Sequence, residues 1–170
     1  MASVPGQMKL VSTKGDEMKQ MTQFLTRKGV SFELLPHART ETARAEAQAL
    51  GISPDRVAKT IVLVNGGGYV RAVLPASAHV DLEKVRRLLH LAHKPRLATE
   101  QELAAAYPSF ELGAVPPIGG PDGDRTAVDR QIAAHETIVF EAGEHDESLR
   151  LKTDDLLVQA LAEVGDICKS

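Results

Sequence analysis

The sequence is poor in what several function classes need. Its single cysteine, Cys168, cannot close an internal disulfide, and this suits a reducing compartment. There is no tryptophan, and four phenylalanines with two tyrosines are few rings for a protein that stacks single-stranded bases along a groove. Neither is there an excess of positive charge. With a formal net charge of −3 the chain exerts no global pull on polyanions, so any nucleic-acid contact has to come from a local basic patch. No apolar run approaches the length of a membrane span, and the opening residues lack the apolar core of a signal peptide. The expectation is a soluble, cytoplasmic protein that makes no membrane contact.

The usual reactive motifs are missing too. Six histidines occur, but none in a His-Glu-x-x-His pair, and no second cysteine is present to share a metal. His79, His135 and His145 are each flanked by small or charged residues and read as solvated turns. Asp122 and Asp124 start like a calcium loop, but Ala133 stands where the bidentate glutamate belongs. No serine sits in a Gly-x-Ser-x-Gly elbow, and Cys168 reads as a tail thiol. The expectation is therefore no metal, no cofactor and no covalent nucleophile. The glycine run "NGGG" is followed by a strand instead of a helix N-terminus, which makes it a turn and not a phosphate loop.

What is present is an alternation of helices and short strands in 170 residues, enough for one domain. Met18, Met21, Phe24 and Leu25 recur at helical spacing between Asp16 and Lys28, with Gly29 as a stop. "VSFELLP" reads as a strand, and "TETARAEAQALG" as an alanine-rich helix capped at Thr40 and ended at Gly51. Val57 to Val64 and Tyr69 to Leu74 form a hairpin about the glycine turn. "DLEKVRRLLH" is amphipathic, and Thr99 with Glu102 has capping-box spacing before a short helix. "RTAVD", "ETIVFEAG" and "SLRLK" read as strands, and "TDDLLVQALAEVG" as a closing helix begun at Thr153. A hairpin among interleaved helices argues against a purely parallel sheet. The expected fold is a single mixed α/β domain over residues 16–165, with a largely antiparallel sheet or partly open barrel and surrounding helices, after a flexible N-terminal segment 1–15.

Two features stand out against this frame. Lys59 interrupts the apolar run "VAKTIVLV" and shares a strand face with Ile61 and Leu63. Either it snorkels out at a frayed strand end, or it points inward and meets a cleft or a ligand's negative charge. The second feature is "GAVPPIGG", Gly113 to Gly120, which can extend neither helix nor central strand. Pro116 and Pro117 carry no N–H, so the loop's donors narrow to Gly113, Ala114, Val115, Ile118 and Gly119. A fixed loop with a few unpaired donors beside a cation has the makings of an oxyanion hole.

The order "VAKTIVLV", hairpin, "VDLEKVRRLL", "GAVPPIGG", "AVD", "ETIVFEAG" resembles the YbaK and prolyl-tRNA-synthetase-associated editing domains over about Phe32 to Leu157. The sharpest marks are the strand lysine and the Gly-x-x-x-Pro loop. The resemblance implies a metal-free hydrolase: a trans-editing aminoacyl-tRNA deacylase cleaving the ester of a mischarged tRNA, with tRNA for proline carrying a small wrong amino acid as the first candidate. Attack would come from water, aided by the terminal ribose hydroxyl or the substrate's own side chain. It further implies that Lys59 holds the tRNA end or the acyl carbonyl while the N–H groups of Gly113, Ala114 and Val115 meet the oxyanion. Pro117, Ile118 and Gly119 would complete the substrate loop, Asp129 would orient an amine or a water unless it merely caps a helix, and His37 would lie near the pocket. The implied partners are the acceptor end of an aminoacyl-tRNA and an aminoacyl-tRNA synthetase. A catalytically silent module gripping either partner is the alternative reading, and a small-molecule-binding protein is a third.

The chain departs from the family in "EAGEHDES", where members often carry a Ser-Gly-Gly-Lys-Arg-like segment. Acids there would repel phosphate. Lys84, Arg86, Arg87, Lys94 and Arg96 offer a substitute basic face.

Overall fold

A computed structural model describes residues 14–119 and 124–170. The N-terminal segment expected to be flexible lies outside the described residues as far as residue 13. Helix α1 (Lys14–Arg27) begins inside that expected segment and ends before Gly29, whose φ of +69° suits glycine. Strand β1 (Phe32–Pro36) follows, then α2 (Ala43–Leu50) and a 3₁₀ turn (Pro54–Arg56). The cap of α2 is Thr42, whose side chain accepts the Ala45 N–H; the expected cap, Thr40, instead donates its hydroxyl to Glu141.

The hairpin is present as β2 (Ala58–Asn65) and β3 (Gly68–Pro75). Helix α3 (Leu82–Leu89) is capped by Asp81, and α4 (Glu100–Ala106) carries the Thr99/Glu102 capping box. Between them lies a two-residue strand, β4 (Arg96–Leu97). The chain continues through β5 (Arg125–Asp129), α5 (Arg130–Ala133), β6 (Thr137–Glu141), β7 (Glu147–Lys152) and α6 (Thr153–Ala160), then β8 (Glu163–Gly165). The closing helix is thus shorter than its periodicity suggests: it stops at Leu161 in left-handed conformation, and the residues after it join a sheet. The helix begins at Thr153, as expected, with that residue buried in its first turn and Lys152 in the cap position.

Two sheets result. One is antiparallel in the order β1-β7-β6; the other is mixed, β4-β2-β3-β5-β8, with β3, β5 and β8 parallel. The main core lies between them, where Ala58, Val73 and Val128 of the larger sheet meet Ile138, Phe140 and Leu149 of the smaller. On the opposite face of the larger sheet, Leu63, Ala72 and Ala127 pack beneath Val85 and Leu89 of α3. A sheet covered on both faces needs no polar alternation, which is why "IVLV" and "AVL" are unbroken apolar runs.

Val57 and Val139 form an isolated parallel bridge that stitches the sheets together at one point. Beyond it β2 and β6 separate. Helix α2 packs over this seam, setting Ala47 against Val57, Ala76 and Val139.

Candidate functional site

The opening between β2 and β6 is a cleft of about 390 Å³ lined by Lys59, Thr60, Glu46, Glu141, Gly113 and Val115, among others. Lys59 is neither frayed away nor sealed in. Its side chain is half-buried, and Nζ lies 3.5 Å from the carbonyl oxygen of Ala76. Burial, with a smaller contribution from the nearby Arg44 charge, lowers its pKa from the usual lysine value.

The loop facing Lys59 is held in three places. Residues Glu111 to Ala114 make a turn in which the Ala114 N–H donates to Glu111 O at 3.0 Å and Gly113 has a φ of +84°, as a type II turn demands. His145 grips it from one side: its Nε2 is 2.7 Å from Leu112 O, Nδ1 is 3.1 Å from Glu141 Oε1, and its backbone N–H donates to Glu111 Oε1 at 2.8 Å. Arg71 grips it from behind. That guanidinium is buried in β3, donates to Pro116 O at 2.8 Å and Gly119 O at 2.5 Å, lies 3.8 Å from Asp124 and stacks 5.1 Å from the Tyr107 ring.

Several sequence expectations change at this point. Lys59, Gly113, Ala114 and Val115 do line one cleft, but the Ala114 N–H is used up inside the turn. Among the described residues the Gly113 and Val115 N–H groups make no backbone hydrogen bond, so the donor pair narrows to these two. Pro117, Ile118 and Gly119 border a different, larger cleft of about 760 Å³ on the far side of the loop, beside Arg71, Phe24 and Tyr107. Asp129 borders neither. Fully buried, it caps α5 through the Gln131 N–H at 2.9 Å and accepts the Ile167 N–H at 2.9 Å. His37 is also outside the cleft lining, but its Nε2 lies 2.9 Å from Ser148 Oγ, which donates to Glu46 Oε2 at 2.5 Å.

His145 is buried and not in a solvated turn, because its three hydrogen bonds replace water. Cys168 is buried as well: its segment bridges to Val80, and burial pushes its thiol up to about 12. In "EAGEHDES" Glu141 and Glu144 turn inward, so they line no repulsive outer edge. The substitute basic face is largely neutralised: Lys84 pairs with Asp166 at 3.0 Å, Arg86 with Glu83 at 2.6 Å and Arg96 with Glu102 at 2.8 Å. Only Arg87 and Lys94 of that group stay outside these pairs, and both are exposed.

Two carboxyls that the sequence did not single out also border the cleft. Burial, and next the neighbouring Glu46, push Glu141 up to about 9; burial pushes Glu46 up to about 7 against the opposing Ser148 hydrogen bond. Arg71 was detectable by the same reasoning that flagged Lys59, a cation interrupting an apolar strand. Glu46 was not, since on an alanine-rich helix it looks like an ordinary solvent-facing acid.

Among curated proteins nothing matches this sequence. Solved structures share the fold. A candidate trans-editing enzyme for prolyl tRNA synthetase superposes with a TM-score of 0.78 at 24% identity, over 94% of this chain and 99% of that one. A hypothetical protein superposes at 0.80 with 22% identity, over 88% and 99%, and a scaffold used for computational epitope grafting at 0.80 with 20%, over 91% and 97%. The sequence pattern of the aminoacyl-tRNA editing domain matches residues 37–158. That span holds both walls of the cleft and most of the chain, and the protein belongs to the aminoacyl-tRNA editing domain family.

Proposed function

We propose that the protein is a trans-editing deacylase that hydrolyses the ester between a wrong amino acid and the terminal adenosine of a tRNA, with tRNA for proline carrying a small amino acid as the first substrate to test. One observation carries this reading: Lys59 and the Gly113–Val115 turn line the same cleft. The lysine supplies positive charge to the acyl carbonyl or the tRNA end. The Gly113 and Val115 N–H groups are the donors left for the oxygen that becomes negative when water adds to the carbonyl carbon. Attack by water, assisted by the ribose hydroxyl or the substrate side chain, needs no covalent intermediate on the chain. Editing of this kind answers a physical limit, since a synthetase pocket discriminates one methylene by only about 1–3 kcal/mol.

The test is ester loss from a panel of mischarged tRNAs. Lys59→Ala should keep its fold, because the side chain is only half-buried, and should lose on the order of 10²-fold or more in rate. A panel on which no tRNA is cleared faster than in buffer rejects hydrolysis and leaves the silent binding module, detectable as tRNA retention without turnover. A folded, fully active Lys59→Ala protein rejects the assigned role of the lysine.

A further inference from the structure

Three side chains from three elements form a continuous hydrogen-bonded line from the molecular surface to the cleft. His37, half-buried after β1, approaches Ser148 Oγ on β7 at 2.9 Å through Nε2, and Ser148 Oγ lies 2.5 Å from Glu46 Oε2 on α2. Glu46 lines the cleft together with Lys59 and Gly113. Among the described residues no hydrogen-bond donor is placed on its other oxygen, Oε1. Both Ser148 and Glu46 are buried, with Glu46 1% exposed, but Glu46 borders the cleft and Ser148 does not, so the Ser148 hydroxyl acts as a connector only.

The other ring nitrogen determines how protons fit this line. His37 Nδ1 lies 2.7 Å from the carbonyl oxygen of Ala38, and a carbonyl only accepts, so Nδ1 carries a hydrogen. Two arrangements then satisfy every contact. In one, a neutral Glu46 donates to Ser148 Oγ, the Ser148 hydroxyl donates to His37 Nε2, and the imidazole is neutral. In the other, Glu46 is a carboxylate accepting the Ser148 hydroxyl, and a cationic His37 donates to Ser148 Oγ. The two differ by one proton passed along the line. Removing that proton breaks the line, because a single hydroxyl cannot donate both to a carboxylate and to a bare Nε2.

We propose that His37, Ser148 and Glu46 form a one-proton conduit between solvent and the cleft, and that Glu46 is a catalytic residue exchanging that proton with the reacting atoms. This rests on the editing reading. The cycle starts with Glu46 as a carboxylate and His37 as a cation. As water forms its bond to the acyl carbon, one water proton passes to the Glu46 carboxylate while His37 releases its proton to solvent, which gives the neutral arrangement. When the bond from that carbon to the ribose oxygen breaks, Glu46 gives its proton to the leaving oxygen while His37 takes one from solvent, which restores the starting arrangement. The product acid then releases a proton to solvent.

The titratable and charged groups facing Glu46 are Arg44 on its own helix, Lys59 on β2, His79 after β3, and Glu141 on β6, itself bonded to His145. Burial pushes Glu46 up to about 7, which suits a group that trades protons near neutrality.

The test has two arms. In the free protein, NMR follows the hydrogen bonding of His37 Nε2 through its nitrogen chemical shift. That shift should move in Glu46→Gln and in Ser148→Ala, and Ser148→Thr, which restores a hydroxyl, should bring it back. Glutamine keeps a hydrogen-bonding amide but cannot trade a proton, so this variant should fold. In the second arm, deacylation by the wild type should show an inflection near neutral pH. Glu46→Gln should lose that inflection and roughly 10²- to 10⁴-fold in rate. A His37 Nε2 shift indifferent to both substitutions, or a Glu46→Gln enzyme with the wild-type pH profile, overturns the conduit. Wild-type protein that clears no ester while the coupled Nε2 shifts hold refutes the editing reading instead.

Discussion

Replacing Arg71 with methionine tests whether the Gly113–Gly119 loop owes its shape to a cation behind it. Methionine keeps much of the stem's volume and removes the two bonds to Pro116 O and Gly119 O, at 2.8 and 2.5 Å. Hydrogen bonds from a charged donor contribute about 1.5–3 kcal/mol each. Against their sum stands the cost of keeping a guanidinium buried, which the substitution relieves, while Asp124 loses its neighbour. A net loss of about 3 kcal/mol follows, and for a domain of this length each kcal/mol lowers the melting temperature by about 2–4 °C. The variant should melt roughly 6–12 °C below the wild type. It should also deacylate poorly, because a displacement of about 1 Å in the Gly113 donor is enough to cost about 10²-fold. Thermal unfolding followed by circular dichroism and ester hydrolysis at a temperature where both proteins are folded are the two measurements. Arg71→Lys, able to reach one carbonyl, should fall between them. If Arg71→Met melts with the wild type and turns over at the wild-type rate, the bracing role is refuted.

Three other outcomes follow from the same geometry. Glu46 and Glu141 have folded values of about 7 and about 9 against an ordinary 4.5, so the folded chain binds more protons than the unfolded one across that span and stability falls as pH rises. Each contributes up to about 1.4 kcal/mol per pH unit, Glu46 completes its titration within about one unit above pH 7, and in urea titrations Glu141→Gln should flatten most of the decline between pH 8 and 9; a wild type that gains stability over that range contradicts the assignment. Gly113→Ala should lose about 1–2 kcal/mol from its φ of +84° alone, since the added Cβ would sit at an ordinary 3.5 Å from His145; unchanged urea stability would mean that the turn is not held as described. The Cys168 thiol, buried and pushed up to about 12, should resist a disulfide reagent until the protein unfolds; prompt reaction in native buffer would place it at the surface.

The long elements were legible in the sequence because each repeats its signal several times. The β2–β3 hairpin shows it in two β-rich runs, and α3 in four apolar positions on one side. Strands β4 and β8, two and three residues long, carry no period to detect and exist only because a neighbouring edge receives them. Cap identity failed between Thr40 and Thr42 for a related reason: both can cap, and the tertiary partner Glu141 decides which one is free to do so. Of the candidate site, the Lys59 and Gly113–Val115 pairing was readable from charge and loop chemistry. Which carbonyl consumes the Ala114 N–H was not. Nor was the burial of His145, since a histidine among charged neighbours looks the same whether those neighbours face water or bond to it.

The loop from Gly113 to Gly119 separates two clefts, with Gly113 to Val115 on the Lys59 side and Pro117 to Gly119 on the other. A partition has one thickness, so shifting it to widen either chamber narrows its neighbour. On the proposed editing reading, amino-acid selectivity can therefore be altered from the chamber that does not hold Lys59. A library aimed at new substrates should vary Phe24 and Phe110, which border the rear cleft, alongside Thr60 and Phe140 at the front, since the position of the wall is set from both sides.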